Sequence, residues 1–351
     1  MNRDYYLKLA HSGLRMPIGA DLILHESPDP EAVKHDAEAL GKVVAETARR
    51  FNTPLAFPLM DLTLEKSDLL AFLQIPSAQV DSYHFTAPPA AQILDELRAA
   101  GGRPFPARVA ANQEAIRYIR DHTELVPVGM LIGPFSLMTK LVSDPITPVA
   151  MAAAGDTAEE NESVCLIERC LALAEETILR SARAQIEAGA RAIIVCEPAA
   201  NTVYLSPRRL RAGSNILERF VLAPNRRLRA LFARHDVDLI FHNCGELLTD
   251  MVRQFAVELN PAILSLGSSR KLWEDAAVVP PGVVLFGNLP TKMFYSDSVM
   301  PVEEVRRRTR ELRDHMSACG HPHILGSECD VLYVREAAET IRAKVRAMLS
   351  E

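Results

Sequence analysis

The chain has 351 residues, of which 48% are hydrophobic and 24% are charged, and its formal net charge is −6 at pH 7. This composition is typical of a globular protein with a large core and excludes a disordered or fibrous chain. The negative charge, together with the lack of a basic stripe carrying interleaved aromatic residues, argues against nucleic acid as a partner.

The N-terminal residues and the lack of a long apolar stretch predict where in the cell the protein is located, and the location predicts the state of its cysteines. Residues 1–8 lack the apolar core of a signal peptide, and no stretch approaches about 18 uncharged apolar residues. We therefore expect a cytoplasmic protein with no membrane segment. Its six cysteines are then reduced, and each is a packing residue, a reactive thiol or a metal ligand.

The first part of the chain mixes regular and irregular segments. Residues 1–30 do not fit any repeat and are predicted to form an N-terminal extension. Residues 31–51 have apolar side chains at helical spacing and predict a helix. Residues 54–61 form a short apolar run that ends in Asp61 and predicts a buried strand despite its prolines. Residues 63–106 are predicted to be a long loop that serves as a lid over the site.

From there on, short apolar runs alternate with stretches long enough for a helix. The longest predicted helix covers residues 161–188 and stops at Gly189, and a closing helix is predicted over residues 336–349. An eighth strand is expected between residues 80 and 110. The predicted strands after the first are residues 126–133, 191–197, 237–244, 262–267, 283–288 and 323–329.

Apolar strands that alternate with helices indicate a parallel sheet covered on both faces. Seven or eight such units favour an α/β fold of the (β/α)8 TIM-barrel type, with the N-terminal extension, as a single domain over residues 1–351. No Gly-rich phosphate loop follows any of the predicted strands, which argues against a dinucleotide or ATP fold.

The residues with the clearest chemistry are a histidine and two cysteines at strand ends. His242 and Cys244 are two positions apart in one predicted strand, so their side chains point to the same face. Cys329 ends the last predicted strand and faces the same mouth in a closed barrel. An imidazole and two thiolates suit a catalytic zinc ion with one open position. The alternative is that the cysteines only fill the core.

The other cysteines fit packing better. Cys165 and Cys170 lie about 140° apart around a helix and cannot share a metal, and Cys319 falls in a predicted loop. Cys196 points away from the mouth if Glu197 points into it. Two thiolates blunt the Lewis acidity of zinc, so the predicted site suits activation of a substrate thiol for alkyl transfer better than hydrolysis.

Five segments together resemble the uroporphyrinogen decarboxylase superfamily over about residues 30–350. More narrowly, the chain looks like the corrinoid-dependent branch, which contains methylcobamide:coenzyme M and methylcorrinoid:tetrahydrofolate methyltransferases. True decarboxylases open with an arginine-rich segment, whereas here a single arginine, Arg15, directly precedes Met16-Pro17-Ile18-Gly19. The matching segments are Leu131-Ile132-Gly133-Pro134-Phe135-Ser136-Leu137, Gln185-Ile186-Glu187-Ala188-Gly189-Ala190 leading to Glu197-Pro198-Ala199, His242 with Cys244, Gly287-Asn288-Leu289, and Cys329.

The resemblance implies a barrel whose mouth receives a corrinoid protein carrying methylcobalamin, with zinc held by His242, Cys244 and Cys329. Glu328 makes the last segment more acidic than in the family, so it is either a fourth ligand or a reason to disfavour an anionic thiol. We therefore predict methyl transfer to tetrahydrofolate. The alternatives are transfer to coenzyme M or another thiol, and a decarboxylase-like or non-catalytic corrinoid-binding protein. Whether the chain forms a homodimer is left open.

The remaining predicted site residues would serve that reaction. Asp61 and Glu197 are predicted catalytic residues that orient the pterin or handle its proton. The alternative for both is that they cap a neighbouring helix. Ser136, Asn201 and Asn288 are predicted to bind the substrate.

Overall fold

The computed structural model describes residues 3–351, and its centre is a parallel sheet of eight strands. The strands are ordered β1-β8-β7-β6-β5-β4-β3-β2, so each strand from β2 onward lies beside the next in the chain. This is the predicted (β/α)8 TIM-barrel fold. The strands are β1 (Arg15–Ile18), β2 (Leu55–Ala56), β3 (Val126–Ile132), β4 (Ala192–Cys196), β5 (Asp238–Asn243), β6 (Ile263–Leu266), β7 (Val284–Leu289) and β8 (His323–Asp330).

Helices surround the sheet, and within the described residues none is both long enough and apolar enough to cross a membrane. The α-helices are α1 (Arg3–His11), α2 (Ala20–Leu24), α3 (Pro30–Lys34), α4 (Ala37–Arg50), α5 (Leu64–Phe72), α6 (Gln92–Ala99), α7 (Ala107–His122), α8 (Pro134–Leu141), α9 (Ile146–Ala154), α10 (Glu162–Ala188), α11 (Pro207–Arg211), α12 (Ala223–Arg234), α13 (Thr249–Gln254), α14 (Leu272–Asp275), α15 (Val302–Cys319) and α16 (Ala338–Ser350).

Local signals explain where the long helices begin and end. The predicted helix over residues 31–51 is two helices, because the Asp36 carboxylate accepts a bond from the Ala39 amide and starts α4 anew. The predicted helix over residues 161–188 is confirmed as α10. Asn161 caps its first turn, and Gly189 takes the left-handed conformation after its last turn (φ 109°). The closing helix is confirmed as α16.

The eighth strand is not where the sequence pattern placed it. The expectation of a strand between residues 80 and 110 is wrong, since that region holds α6, and the eighth strand is β1. Part of the predicted N-terminal extension therefore belongs to the sheet. β1 has only four residues, too few for a periodic signal, and it pairs with β8 at the far end of the chain. β2 shrinks to two residues between Pro54 and Pro58, since proline has no amide hydrogen for the ladder.

The two faces of each strand pack into different cores. Along β4, Ala192, Ile194 and Cys196 belong to the cluster inside the barrel, whereas Ile193 and Val195 belong to the cluster between sheet and helices. Tyr6 of α1 joins the inside cluster, so α1 closes the N-terminal end of the barrel. This alternation decides which side chains at the strand ends face the mouth.

The segment predicted to act as a lid is tied to the outside of the barrel. The expectation of a long loop over residues 63–106 is wrong, because the segment contains helices α5 and α6, which pack against α10. The buried carboxylate of Asp68 in α5 pairs with Arg180 of α10 (2.6 Å) and with Arg103 (2.9 Å). Both ends of residues 68–103 are thereby anchored to α10, and a lid function for residues 63–106 stays a prediction.

Candidate metal centre

The end of β5 brings His242 and Cys244 to the mouth of the barrel. His242 is buried, and it lies beside Cys196 of β4 and Ser265 of β6 in the sheet register. Cys329 of β8 completes the group: one ligand atom from each of His242, Cys244 and Cys329 lies within 4.8 Å of the others. The structure thus assembles the three residues that the sequence singled out as metal ligands.

The imidazole of His242 is held in place and has one unused nitrogen. Its Nδ1 is hydrogen-bonded to Ser265 Oγ at 2.8 Å. Its Nε2 is buried and has no hydrogen-bond partner. Leaving a buried polar atom unpaired costs about 1–3 kcal/mol. A metal-bound histidine has this arrangement, in which the second ring nitrogen is oriented by a neighbouring group.

The thiols of Cys244 and Cys329 share a hydrogen bond that shifts the pKa of both. A hydrogen bond from Cys329 lowers the pKa of Cys244, and His242 and Lys292 lower it further against the effect of burial. The same bond raises the pKa of Cys329, which keeps the shared proton. Lys292 Nζ lies 3.6 Å from Cys244 Sγ, and Cys329 Sγ lies 3.6 Å from Met60 Sδ.

An irregular strand end delivers Cys329 to this group. Ile324 belongs to the inside cluster, so strict alternation along β8 would place Cys329 on the other face. Between Met16 and Ile18 of β1, however, the partner on β8 advances from Gly326 to Asp330. This shift in register interrupts the alternation just before Cys329.

Glu328 directly precedes Cys329, but its carboxylate is not among the candidate metal ligands that the structure brings together. Its Oε2 accepts hydrogen bonds from the amide (3.1 Å) and the hydroxyl (2.6 Å) of Ser268, which follows β6. The carboxylate therefore joins the loop after β6 to the end of β8.

Glu197 lies on the opposite side of the sheet from the expected one. Cys196 faces the barrel interior, and Glu197 is fully buried at the start of α8. Its carboxylate accepts bonds from the amides of Phe135 (3.2 Å) and Ser136 (2.9 Å), from Ser136 Oγ (2.7 Å) and from Asn225 Nδ2 (2.9 Å). Burial raises the pKa of Glu197 and these bonds oppose the rise. Four donors occupy the carboxylate, as expected for a residue that caps a helix. Glu197 is not part of the group formed by His242, Cys244 and Cys329.

The other predicted site residues brace the loops around the mouth. Asp61 accepts from Thr63 and pairs with Arg108 at 2.9 Å. Asn288 Nδ2 donates to the carbonyls of Gly267 and Arg270, both at 2.8 Å. Asn201 bridges the Pro198 carbonyl and the Val203 amide, and Ser136 Oγ, besides donating to Glu197, accepts from the Ala199 amide. None of these four residues belongs to the group of candidate metal ligands.

The family model described as uroporphyrinogen decarboxylase (URO-D) matches residues 24–349. The chain belongs to the uroporphyrinogen decarboxylase family. No curated protein matches the sequence.

Two solved structures are similar to this URO-D family member. One is described as a methyltransferase from Methanosarcina mazei; it shares 19% identity over 99% of this chain and 98% of its own, with a TM-score of 0.66. The other is 3-keto-D-glucoside 4-epimerase from E. coli, with 14% identity over 76% of this chain and 97% of its own and a TM-score of 0.40. The first shows that this family member shares the fold of that methyltransferase over nearly its whole length.

Sequence reasoning on this URO-D family member missed two residues of the centre. Ser265 carried a signal, since it is a polar residue between leucines in a buried strand and faces the same side as His242. Lys292 carried none, because it lies in a short turn after β7 and only the folded chain brings it to Cys244.

Proposed function

We propose that this chain is a corrinoid-dependent methyltransferase that moves a methyl group from a methylated corrinoid on a partner protein to a small thiol held at zinc. Two observations carry the proposal: one ligand atom from each of His242, Cys244 and Cys329 lies within 4.8 Å of the others, and the buried Nε2 of His242 has no hydrogen-bond partner. Membership in the uroporphyrinogen decarboxylase family and a fold shared with a protein described as a methyltransferase also support it.

The donor set fits zinc. His242, Cys244 and Cys329 would hold the ion, and three protein ligands leave one position for the acceptor. When bound, zinc would keep the acceptor thiol deprotonated and nucleophilic at neutral pH. Ser265 holds the imidazole so that Nε2 stays available, and Lys292 offsets the negative charge of Cys244. The partner's corrinoid would supply the methyl group and keep the electron pair of the broken bond, the acceptor sulfur would receive the methyl group, and the thiol proton would leave to solvent.

The contacts of the acidic residues favour a thiol over tetrahydrofolate. The folate prediction depended on Asp61 and Glu197 to orient the pterin or take its proton, and on the acidity of Glu328. Arg108 and Thr63 engage Asp61, four donors occupy Glu197, and Ser268 engages Glu328. A thiol would need none of these carboxylates, because a zinc ion held by His242, Cys244 and Cys329 would bind it and favour its deprotonated form.

A protein donor is supported by the surface around the mouth. The loops that follow β4, β7 and β8 expose large apolar side chains, and a partner protein that covered these side chains would remove apolar surface from water. The side chains are Val203, Met293, Tyr295, Val299, Leu332 and Val334.

The test combines metal analysis with an acceptor assay. We expect Cys244→Ser and Cys329→Ser to lose zinc affinity by more than about tenfold and to lose methyl transfer from methylcobalamin to 2-mercaptoethanesulfonate. Cys319→Ser is the matched control, because Cys319 is exposed at the end of α15. Zinc-free wild type with transfer that survives both changes would contradict the metal site. Turnover with tetrahydrofolate and with no thiol would overturn the acceptor.

A further inference from the structure

The loop that follows β4 carries a concentration of positive charge. Residues 198–217 include three arginines and no aspartate or glutamate, although the whole chain has a formal net charge of −6. The arginines are Arg208, Arg209 and Arg211, and all three are exposed on the short helix α11. The charge of this loop is therefore opposite in sign to that of the molecule.

The guanidinium groups of α11 have no acidic partner. Within residues 3–351, no carboxylate oxygen lies within ion-pair distance of any of the three. The other adjacent arginines of the chain, by contrast, pair with glutamates. Arg49 and Arg50, for example, both reach Glu46, at 2.6 and 2.7 Å. The charge of α11 is thus free to attract a group outside this chain.

The loop anchors α11 at the mouth of the barrel. Its first part lies against the loop after β5, since the Thr202 amide donates to the Glu246 carbonyl at 2.9 Å. Leu205 before α11 and Ile216 after it are both fully buried. Loops that follow the strands of such a barrel lie at its mouth. The three arginines therefore stand on an anchored element at the end of the barrel that holds the candidate metal ligands.

We propose that α11 is a docking surface for an acidic region of a partner protein. The identity of that partner as the methylated corrinoid protein rests on the proposed function. Val203 in the same loop is 60% exposed, so the partner would meet an apolar side chain beside the positive charges. Opposite charges on two surfaces speed their encounter and select their relative orientation. Docking on α11 would therefore orient the partner over the mouth.

A protein partner fits these features better than nucleic acid does. Proteins that bind nucleic acid neutralise many phosphates, and α11 offers only three cations. The helix has no aromatic side chain on which a base could stack. The net charge of −6 on the whole chain also repels a long polyanion. An acidic protein surface needs only a local match of charge.

The first experiment does not depend on the proposed function. Fluorescence anisotropy measures binding of a labelled peptide of about eight glutamates at about 10 mM salt, where screening extends over about 30 Å. We expect Arg208→Glu and Arg209→Glu each to weaken binding about fivefold, and Arg209→Lys to retain it. Arg234→Glu is the matched control, because Arg234 is also exposed and has no ion pair but ends α12 at the closed end of the barrel.

Two results of this experiment would overturn the proposal. One is equal affinity of the peptide for wild type and for both charge reversals. The other is a single-stranded oligonucleotide of the same charge that binds more tightly than the peptide and loses its affinity in Arg208→Glu and Arg209→Glu. The surface would then be one for nucleic acid.

The second experiment measures docking of the donor protein. With a methylated corrinoid protein, Arg209→Glu should lower kcat/KM about fivefold at about 10 mM salt and less than about twofold at about 1 M salt, where screening shortens to about 3 Å. Free methylcobalamin, which needs no docking, is the reference donor. A loss that does not depend on salt overturns an electrostatic role. If no variant uses any donor protein, the proposed function fails, and peptide binding still decides the role of α11.

Discussion

At the scale of single residues, hydrogen-bond partners distinguish the two buried polar side chains Glu197 and His242. Glu197 and His242 are both fully buried near neighbouring strand ends. Glu197 has four donors, whereas Nε2 of His242 has no partner. Because buried polar atoms are paired as a rule, the unpaired Nε2 is the atom that the proposed metal ion would bind.

A buried carboxylate makes the stability of the protein depend on pH. Burial raises the pKa of Glu65 in α5 from 4.5 to about 7, although Ser181 Oγ donates to it at 2.9 Å. The folded state therefore retains this proton at pH values where the unfolded chain releases it. The contribution to stability is complete below about pH 4.5 and is lost as the pH rises to about 7, a change of up to about 3 kcal/mol.

We expect Glu65→Gln to remove this part of the pH dependence, because the amide does not titrate. The free energy of unfolding in urea, measured on metal-free protein from pH 5 to 8, checks it. Glu159→Gln is the control, since Glu159 is exposed after α9. An unchanged slope in Glu65→Gln would contradict the assignment.

At the scale of elements, close contacts join one strand-helix unit to the next. Gly133 links β3 to α8, directly against Glu197 at the end of β4. A Cβ atom at Gly133 would lie 2.0 Å from Glu197 Cδ. A glycine is needed here because a larger side chain would collide with Glu197, and not because of the backbone angles of Gly133. The space left by the missing side chain allows Glu197 to cap α8.

Gly133→Ala should therefore displace the Glu197 carboxylate and lower the free energy of unfolding by about 1–3 kcal/mol. Gly102→Ala is the control, because nothing lies within 4 Å of a Cβ built there. Urea unfolding compares the two variants. Equal stability in both would mean that α8 tolerates the shift and that the cap contributes little.

At the scale of the whole molecule, the barrel brings the candidate metal ligands and the loops with exposed apolar side chains to one end. α1 closes the other end, where the Tyr6 hydroxyl donates to Asp238 at the start of β5. The donor protein proposed above would approach from the open end, where the loops after β7 and β8 lie. Tyr295 and Leu332 in these loops are 51% and 58% exposed.

We expect Tyr295→Asp and Leu332→Asp to raise KM for a methylated corrinoid protein by about tenfold, because a charge enters an apolar interface. Transfer from free methylcobalamin should stay unchanged. Val257→Asp is the control, since Val257 is also exposed (47%) but precedes β6 at the closed end. A loss with free methylcobalamin as well would place these residues in the site and not on a docking surface.

The sequence by itself determined the fold class, seven of the eight strand positions and the three candidate ligands. These depend on local patterns: apolar runs, helical spacing and two residues on one face of a strand. Only the tertiary structure decided that β1 is the eighth strand, that Cys196 and not Glu197 faces the interior, and that Lys292 reaches Cys244. Such facts depend on partners from distant parts of the chain, and no local pattern carries information about a partner that only folding brings near.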